Sequence, residues 1–139
     1  MRISIIIPVL NEETTIGPLL EALQDRGADE LLVVDGGSVD RTVEIASGHA
    51  RIVHASAGRA VQMNTAAAVA SGDVLLFLHA DTRLGATALN VVRSAMADDA
   101  IIGGNFDVRY AGKDLAAGVF TQINRWRRCF GPSRSNAAG

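Results

Sequence analysis

Short β-branched runs alternate with segments of helical apolar spacing along most of this chain, and that alternation limits the fold more than any other feature. Ile3 to Val9 is a nearly continuous apolar run, as expected of a strand buried on both faces, and Pro8 is expected to mark where it stops pairing. Asn11 to Thr15 supplies cap-forming residues. Ile16, Leu19, Leu20 and Leu23 then recur at helical spacing until Gly27. The unit repeats with a strand at Glu30 to Val34, a turn at Asp35 to Ser38, and a helix over Val39 to Ser47 that starts near Ser38 or Asp40. Arg51 to Ala55 and Asp73 to Leu78 read as further strands, with an alanine-rich helix at Arg59 to Ala70 between them. A helix over Ala86 to Met96, an alternating strand over Ile101 to Tyr110 and a helix over Ala116 to Phe130 complete the reading. Parallel strands need crossover connections, so the fold class is α/β: a mostly parallel sheet flanked by helices on both faces.

Size and composition bound the rest. With 139 residues, 48% hydrophobic and 20% charged, the chain can bury a core without disulfide or metal support. Its single cysteine, Cys129, forms no internal bridge and gives no Cys/His metal spacing, which fits a reducing cytoplasm. A net charge of −2 is no footprint for nucleic acid, although Arg125, Arg127, Arg128 and Arg134 make the carboxyl end locally basic. The amino terminus lacks a secretory cleavage pattern, and no segment approaches the roughly 20 apolar residues of a membrane-spanning helix.

In open α/β sheets ligands bind beyond the carboxyl ends of the strands, so the residues just after each apolar run are the informative ones. The first strand delivers Pro8, Asn11 and Glu12, the second Asp35, Gly36, Gly37 and Ser38, and the fourth His79, Asp81 and Thr82. Asp35 with its glycines either accepts hydrogen bonds from a base or ribose or simply builds a tight turn. Asp81 either holds a diphosphate-bound Mg²⁺ or Mn²⁺, which needs only one or two protein carboxylates, or caps the following helix. His79 is a metal ligand, a ribose contact or a satisfied polar residue at a strand terminus.

The segments I-I-P-V-L-N-E ending at Glu12, V-V-D-G-G-S-V-D-R-T at 33–42 and L-F-L-H-A-D-T at 76–82 together resemble a family-2 glycosyltransferase of the GT-A fold. The further run G-R-A-V-Q-M-N-T-A at 58–66 is similar to a bacterial subgroup with histidine as the first residue of the metal motif, which includes relatives of carotenoid-acid glucosyltransferases. The resemblance implies that Pro8, Asn11 and Glu12 shape a base pocket, and that Asp35, Gly36, Gly37 and Ser38 hold the nucleoside. It implies further that Arg59, Asn64, His79 and Ala80 line the nucleotide site and that Asp81 takes a divalent cation. The helix-face alternative for Arg59 is a solvated residue. The implied partners are a nucleotide-diphosphate sugar, with a UDP-sugar favoured, and a lipid-linked or carotenoid-type acceptor.

The sequence departs from that pattern at three places. The usual second aspartate of V-D-D-G-S is Gly36, which removes a direct base contact, and His79 in place of an aspartate lowers the charge around a cation. Nothing after Asp107 resembles the carboxylate base of an inverting transferase, and Asp114 is a poor substitute. The expectation is therefore a truncated product: a sugar-nucleotide domain at 1–110, an amphipathic helix at 111–130 and a disordered tail at 131–139. Val119, Phe120, Ile123, Trp126 and Phe130 beside arginines in 116–130 suit either contact with anionic lipid on a membrane face or packing against the sheet or a missing half. An aspartyl phosphatase lacks its second acid, because Gly37 occupies the place, and a dinucleotide dehydrogenase lacks G-x-G-x-x-G after the first strand. The remaining alternative to a transferase is an inactive nucleotide-binding remnant or interaction module.

Overall fold

The computed structural model describes residues 1–106. The elements run β1 (Ile3–Val9), α1 (Ile16–Asp25), β2 (Glu30–Asp35), α2 (Thr42–Ser47), β3 (Arg51–His54), α3 (Arg59–Ala67), β4 (Val74–Phe77) and α4 (Ala88–Ala95). The four strands form one sheet in the order β3-β2-β1-β4, and every pairing is parallel. The α/β architecture expected from the alternation is thus the one observed.

β1 is central and reads as a solid apolar run because both its faces are covered. Ile3, Ile5, Ile7 and Val9 join Leu31, Val33, Leu76 and Leu78 in a core with Ile16, Leu19, Leu20 and Leu23 of α1, Ala46 of α2, and Ala88 and Leu89 of α4. Ile6, Leu32 and Val34 point the other way and pack against Ala66 of α3. Each fully buried Ile or Leu contributes about 1.5–3 kcal/mol relative to exposure.

The ends of the strands opposite the candidate site are fixed by polar groups. Ser4, buried in β1, hydrogen-bonds the Glu30 carboxylate, and its hydroxyl accepts from the Gly72 amide at 2.8 Å. The Ser71 amide also donates to Glu30, at 2.8 Å. A methyl group at Gly72 would lie 2.6 Å from Ser4 Oγ, 2.7 Å from Ser4 N and 3.0 Å from the Arg2 carbonyl, so only glycine lets the chain enter β4 this close to β1. Asp29 accepts from the Ile3 amide at 2.9 Å and from Arg93 of α4 at 2.7 Å.

Several boundaries differ from the expectation. Pro8 does not stop the pairing of β1 with β2, which continues through Pro8↔Val34 to Val9↔Asp35, whereas pairing with β4 ends at Ile6↔Phe77. Proline therefore sits where only one neighbour strand remains. α2 begins at Thr42 rather than near Ser38, because the preceding residues are held in a loop and Val39 is 91% exposed. The strand expected from Ile101 is absent over 101–106, where Gly103 and Gly104 carry no side chain to pack and Ile102 is exposed. The rest of that strand, the helix at 111–130 and the tail at 131–139 lie outside the described residues. By contacts, Met1–Ile101 forms one compact unit. Among the described residues no helix is long and apolar enough to cross a membrane.

Candidate functional site

The strand order reverses at β1. From β1 the chain moves outward through β2 to β3, then returns to place β4 on the other side of β1. A crevice opens at such a reversal because the connections leaving the neighbouring strands go to opposite faces, and ligands of open α/β sheets bind there. The carboxyl ends of β1, β2 and β4 carry Asn11 and Glu12, Asp35 to Ser38, and His79 to Asp81, so the structure brings the three predicted segments to one edge of the sheet.

The first two of these loops are clasped together. The Asn11 amide donates to Ser38 Oγ at 2.9 Å, and Asn11 Oδ1 accepts from the Val39 amide at 2.9 Å. The Glu12 amide donates to Thr42 Oγ1 at 2.7 Å. The Glu13 amide donates to Asp40 at 3.2 Å, while the Glu13 carboxylate accepts from the Arg41 amide at 3.0 Å. Asn11 has φ 56°, a left-handed conformation that asparagine tolerates better than most residues. Glu12 turns inward to its own helix start and accepts from the Thr15 hydroxyl at 2.7 Å. Asn11 and Glu12 thus build the loop walls before any ligand arrives. Thr42, Asp40 and Glu13, which the sequence reading did not single out, are equal partners in that work.

Asp35 ends β2 almost fully buried. Its carboxylate accepts from the Gly37 amide at 3.1 Å and the Ser38 amide at 3.0 Å, and His54 Nδ1 of β3 lies 3.7 Å away. Burial alone would raise its pKa, but the hydrogen bonds from Ser38 and Gly37, with His54 adding to them, hold it below the usual aspartate value. The tight-turn reading of D-G-G-S is therefore correct as geometry. Gly37 has φ 101°, which an L side chain would strain.

At the end of β4 the Leu78 amide donates to the Ile6 carbonyl at 2.9 Å, and a turn closes with the Thr82 amide on the His79 carbonyl at 3.0 Å. Ala80 is buried beneath this turn, whereas His79 and Asp81 are exposed. α4 starts at Ala88 with Thr87 at its cap position, so Asp81 is not the cap of the following helix. Among the described residues no three His, Cys, Asp or Glu side chains gather as a metal cluster. One exposed carboxylate beside a histidine therefore fits a cation whose shell is completed by phosphate oxygens and water, and does not fit an all-protein metal cage.

α3 approaches from the opposite face of the sheet. Its inward residues are Gln62 and Ala66, one helical turn apart. Arg59 stands at its first turn, exposed and two residues after Ala57, whose backbone lies close to Gly36. Asn64 follows Gln62 by two residues, about 200° around the helix, and is exposed. Gln62 is the buried polar residue that the motif reading passed over. Its Nε2 donates to the Val9 carbonyl at 2.9 Å and to the Val34 carbonyl at 2.7 Å.

Comparison with known proteins agrees with the α/β fold. A crystal structure of glucosyl-3-phosphoglycerate synthase from Mycobacterium tuberculosis, in complex with Mn²⁺, uridine diphosphate and glucosyl-3-phosphoglycerate, superposes with a TM-score of 0.61 and 27% identity, covering 68% of this chain and 39% of that one. A PGL/p-HBAD biosynthesis glycosyltransferase of M. tuberculosis is 40% identical over 91 residues, which are 58% of this chain and 36% of the relative. The glucosyl-3-phosphoglycerate synthase sequence is 36% identical over 93 residues, 57% of this chain and 28% of the relative. The chain thus spans about a third of the length of the relatives it matches. Residues 4–136 match the family description "Glycosyl transferase family 2", and with the parallel sheet and its clustered strand-end loops this makes the chain a member of glycosyl transferase family 2.

Proposed function

We propose that this chain supplies the donor-binding part of a sugar transfer from a nucleotide-diphosphate sugar, with the nucleotide seated at the reversal point of the sheet. The observation that carries the reading is the exposed Asp81 at the end of β4, which caps no helix and stands across the reversal from the prebuilt loops of β1 and β2. Pro8, Asn11 and Glu12 form one wall of the base pocket. Asp35, Gly36, Gly37 and Ser38 form the nucleoside side, with the Asp35 carboxylate holding the loop amides in place. Arg59, at the first turn of α3, is the residue we assign to the diphosphate, and His79, Ala80 and Asp81 close the site. Asn64, exposed on α3, stays in the set as a residue of the nucleotide pocket.

Asp81, with the donor diphosphate, would hold a Mn²⁺ or Mg²⁺ ion. Such an ion neutralises charge on the departing nucleotide diphosphate. Bound Mn²⁺ and uridine diphosphate in the superposed synthase support both the cation and a UDP-sugar as donor. A related structure of the same enzyme holds Mg²⁺ and uridine diphosphate. The acceptor we place on a lipid-like carrier, a reading that rests on the apolar and arginine-rich sequence of 116–130.

Titration calorimetry with UDP, GDP and CDP, each with and without Mn²⁺, tests the proposal. Metal-dependent binding of UDP that is lost in Asp81→Ala is the expected result. A folded chain that binds none of the three, or an Asp81→Ala variant that binds as the parent does, removes the donor-site or the metal assignment respectively.

A further inference from the structure

We propose that Gln62 is the positioning residue of the donor site, that its amide fixes the ends of β1 and β2 relative to each other, and that Gly36 is the space this amide requires. The inference deepens the donor-site reading and rests on it. Gln62 is 5% exposed and spends both amide hydrogens on main-chain carbonyls from different strands, Val9 and Val34. These carbonyls stand immediately before the segments that carry Asn11 and Glu12 on one side and Asp35 to Ser38 on the other. The Val9 carbonyl also accepts from the Gly36 amide at 3.0 Å, so a single oxygen joins β1, the β2 loop and α3. An aliphatic residue would fill this position on α3 at lower desolvation cost, as Ala66 does one turn later. A buried amide is tolerated only when its donors are paired, and here the pairing ties together the two strand ends.

Gly36 completes the argument. Its backbone is outside the left-handed region, so conformation does not require glycine there. Space does: a Cβ at Gly36 would lie 3.1 Å from Gln62 Nε2 and 3.2 Å from Gln62 Cδ, with the Ala57 Cα at 3.4 Å. Ordinarily the end of a glutamine side chain yields to such a contact. This one is pinned by two hydrogen bonds and cannot move without breaking at least one of them. The glycine in V-D-G-G-S and the glutamine in G-R-A-V-Q-M-N-T-A are therefore one device, split between two segments of sequence.

The test is a double-mutant cycle in the full chain, read by titration calorimetry with UDP and Mn²⁺ and by thermal unfolding. Gln62→Met keeps the volume and removes both donors, while Gly36→Ala keeps the donors and displaces them. Each is expected to weaken UDP binding by about tenfold, the scale of one or two lost hydrogen bonds, in samples still folded at the assay temperature. Amide exchange at Gly36, Gly37 and Ser38 should accelerate in both. Because both variants act through the same amide, the double variant should lose much less than the product of the single effects. Unchanged UDP affinity in Gln62→Met, or multiplicative losses in the double variant, overturns the proposal. If Gln62→Met does not fold, the affinity and exchange of Gly36→Ala decide alone, and parent-like values there overturn it equally. A parent chain that binds no nucleotide instead removes the donor-site reading on which the proposal stands, a result distinct from binding that ignores Gln62.

Discussion

Asn11 shows how much a single residue carries. Its main chain is left-handed, its amide reaches Ser38 and its side chain receives the Val39 amide, so it meets a conformational and a hydrogen-bonding demand together. Replacing it by alanine should cost about 2 kcal/mol, combining the left-handed penalty with a lost hydrogen bond, whereas glycine should cost about half as much. Denaturant unfolding of the two variants checks the ordering. Asp35 makes a prediction about pH. Its folded pKa lies below the ordinary value of 3.8, so the unfolded chain takes up the proton first as the solution is acidified. The stability it contributes is complete well above pH 3.8 and is lost as the pH falls from there through the depressed folded value. An Asp35→Asn variant should accordingly show a flatter fall in stability across that acid range than the parent. The turn at Asp35 was legible in D-G-G-S, whereas the role of Asn11 was not, because the motif names the residue type but not the main-chain amide in another loop that it serves.

At the scale of elements, legibility followed the source of stability. α1 was readable because its four leucine and isoleucine positions face one core, and the observed helix buries Ile16, Leu19, Leu20 and Leu23 as the spacing required. The start of α2 was legible only as a choice between Ser38 and Asp40: the Asp40 carboxylate accepts the Thr42 amide at the first turn, but the bonds that tie Asp40 and Thr42 to the loop of residues 12–13 leave no periodic trace. The segment from Ile101 failed for a different reason: alternation predicts a strand only if a neighbour exists to pair with it, and residues 101–106 have none among the described residues. The entry to β4 supplies the prediction for this scale. Gly72→Ala meets main-chain atoms of β1 and cannot be relieved by moving a side chain. It should lower stability by about 2–4 kcal/mol, comparable to a severe core defect, while Gly48→Ala, where nothing lies within 4 Å, should stay within about 0.5 kcal/mol.

For the whole described unit, the parallel order with β1 and β2 innermost predicts the distribution of local stability. Amides of Ile5 to Ile7 and of Leu32 to Val34 should exchange slowest, and those of β3 and β4 earlier, because the inner strands are paired on both sides. Native-state hydrogen exchange measures this directly. The fold class, and the gathering of the three motif segments at one edge of the sheet, could be read from the sequence because they follow from hydrophobic period and the order of motifs. The internal bracing of the site could not, because Gln62, Thr42 and Asp40 act through long-range bonds that no spacing rule encodes. The clasp between residues 11–13 and 38–42 has a consequence for evolution. Asn11, Ser38 and Thr42 serve the folded loops whatever the crevice contains, so a descendant that had stopped turning over any sugar would be expected to go on displaying them. Retention of these motifs would therefore attest to ancestry, and under the proposed donor site a loss of catalysis would be expected to show first at Asp81, which is exposed and caps no helix.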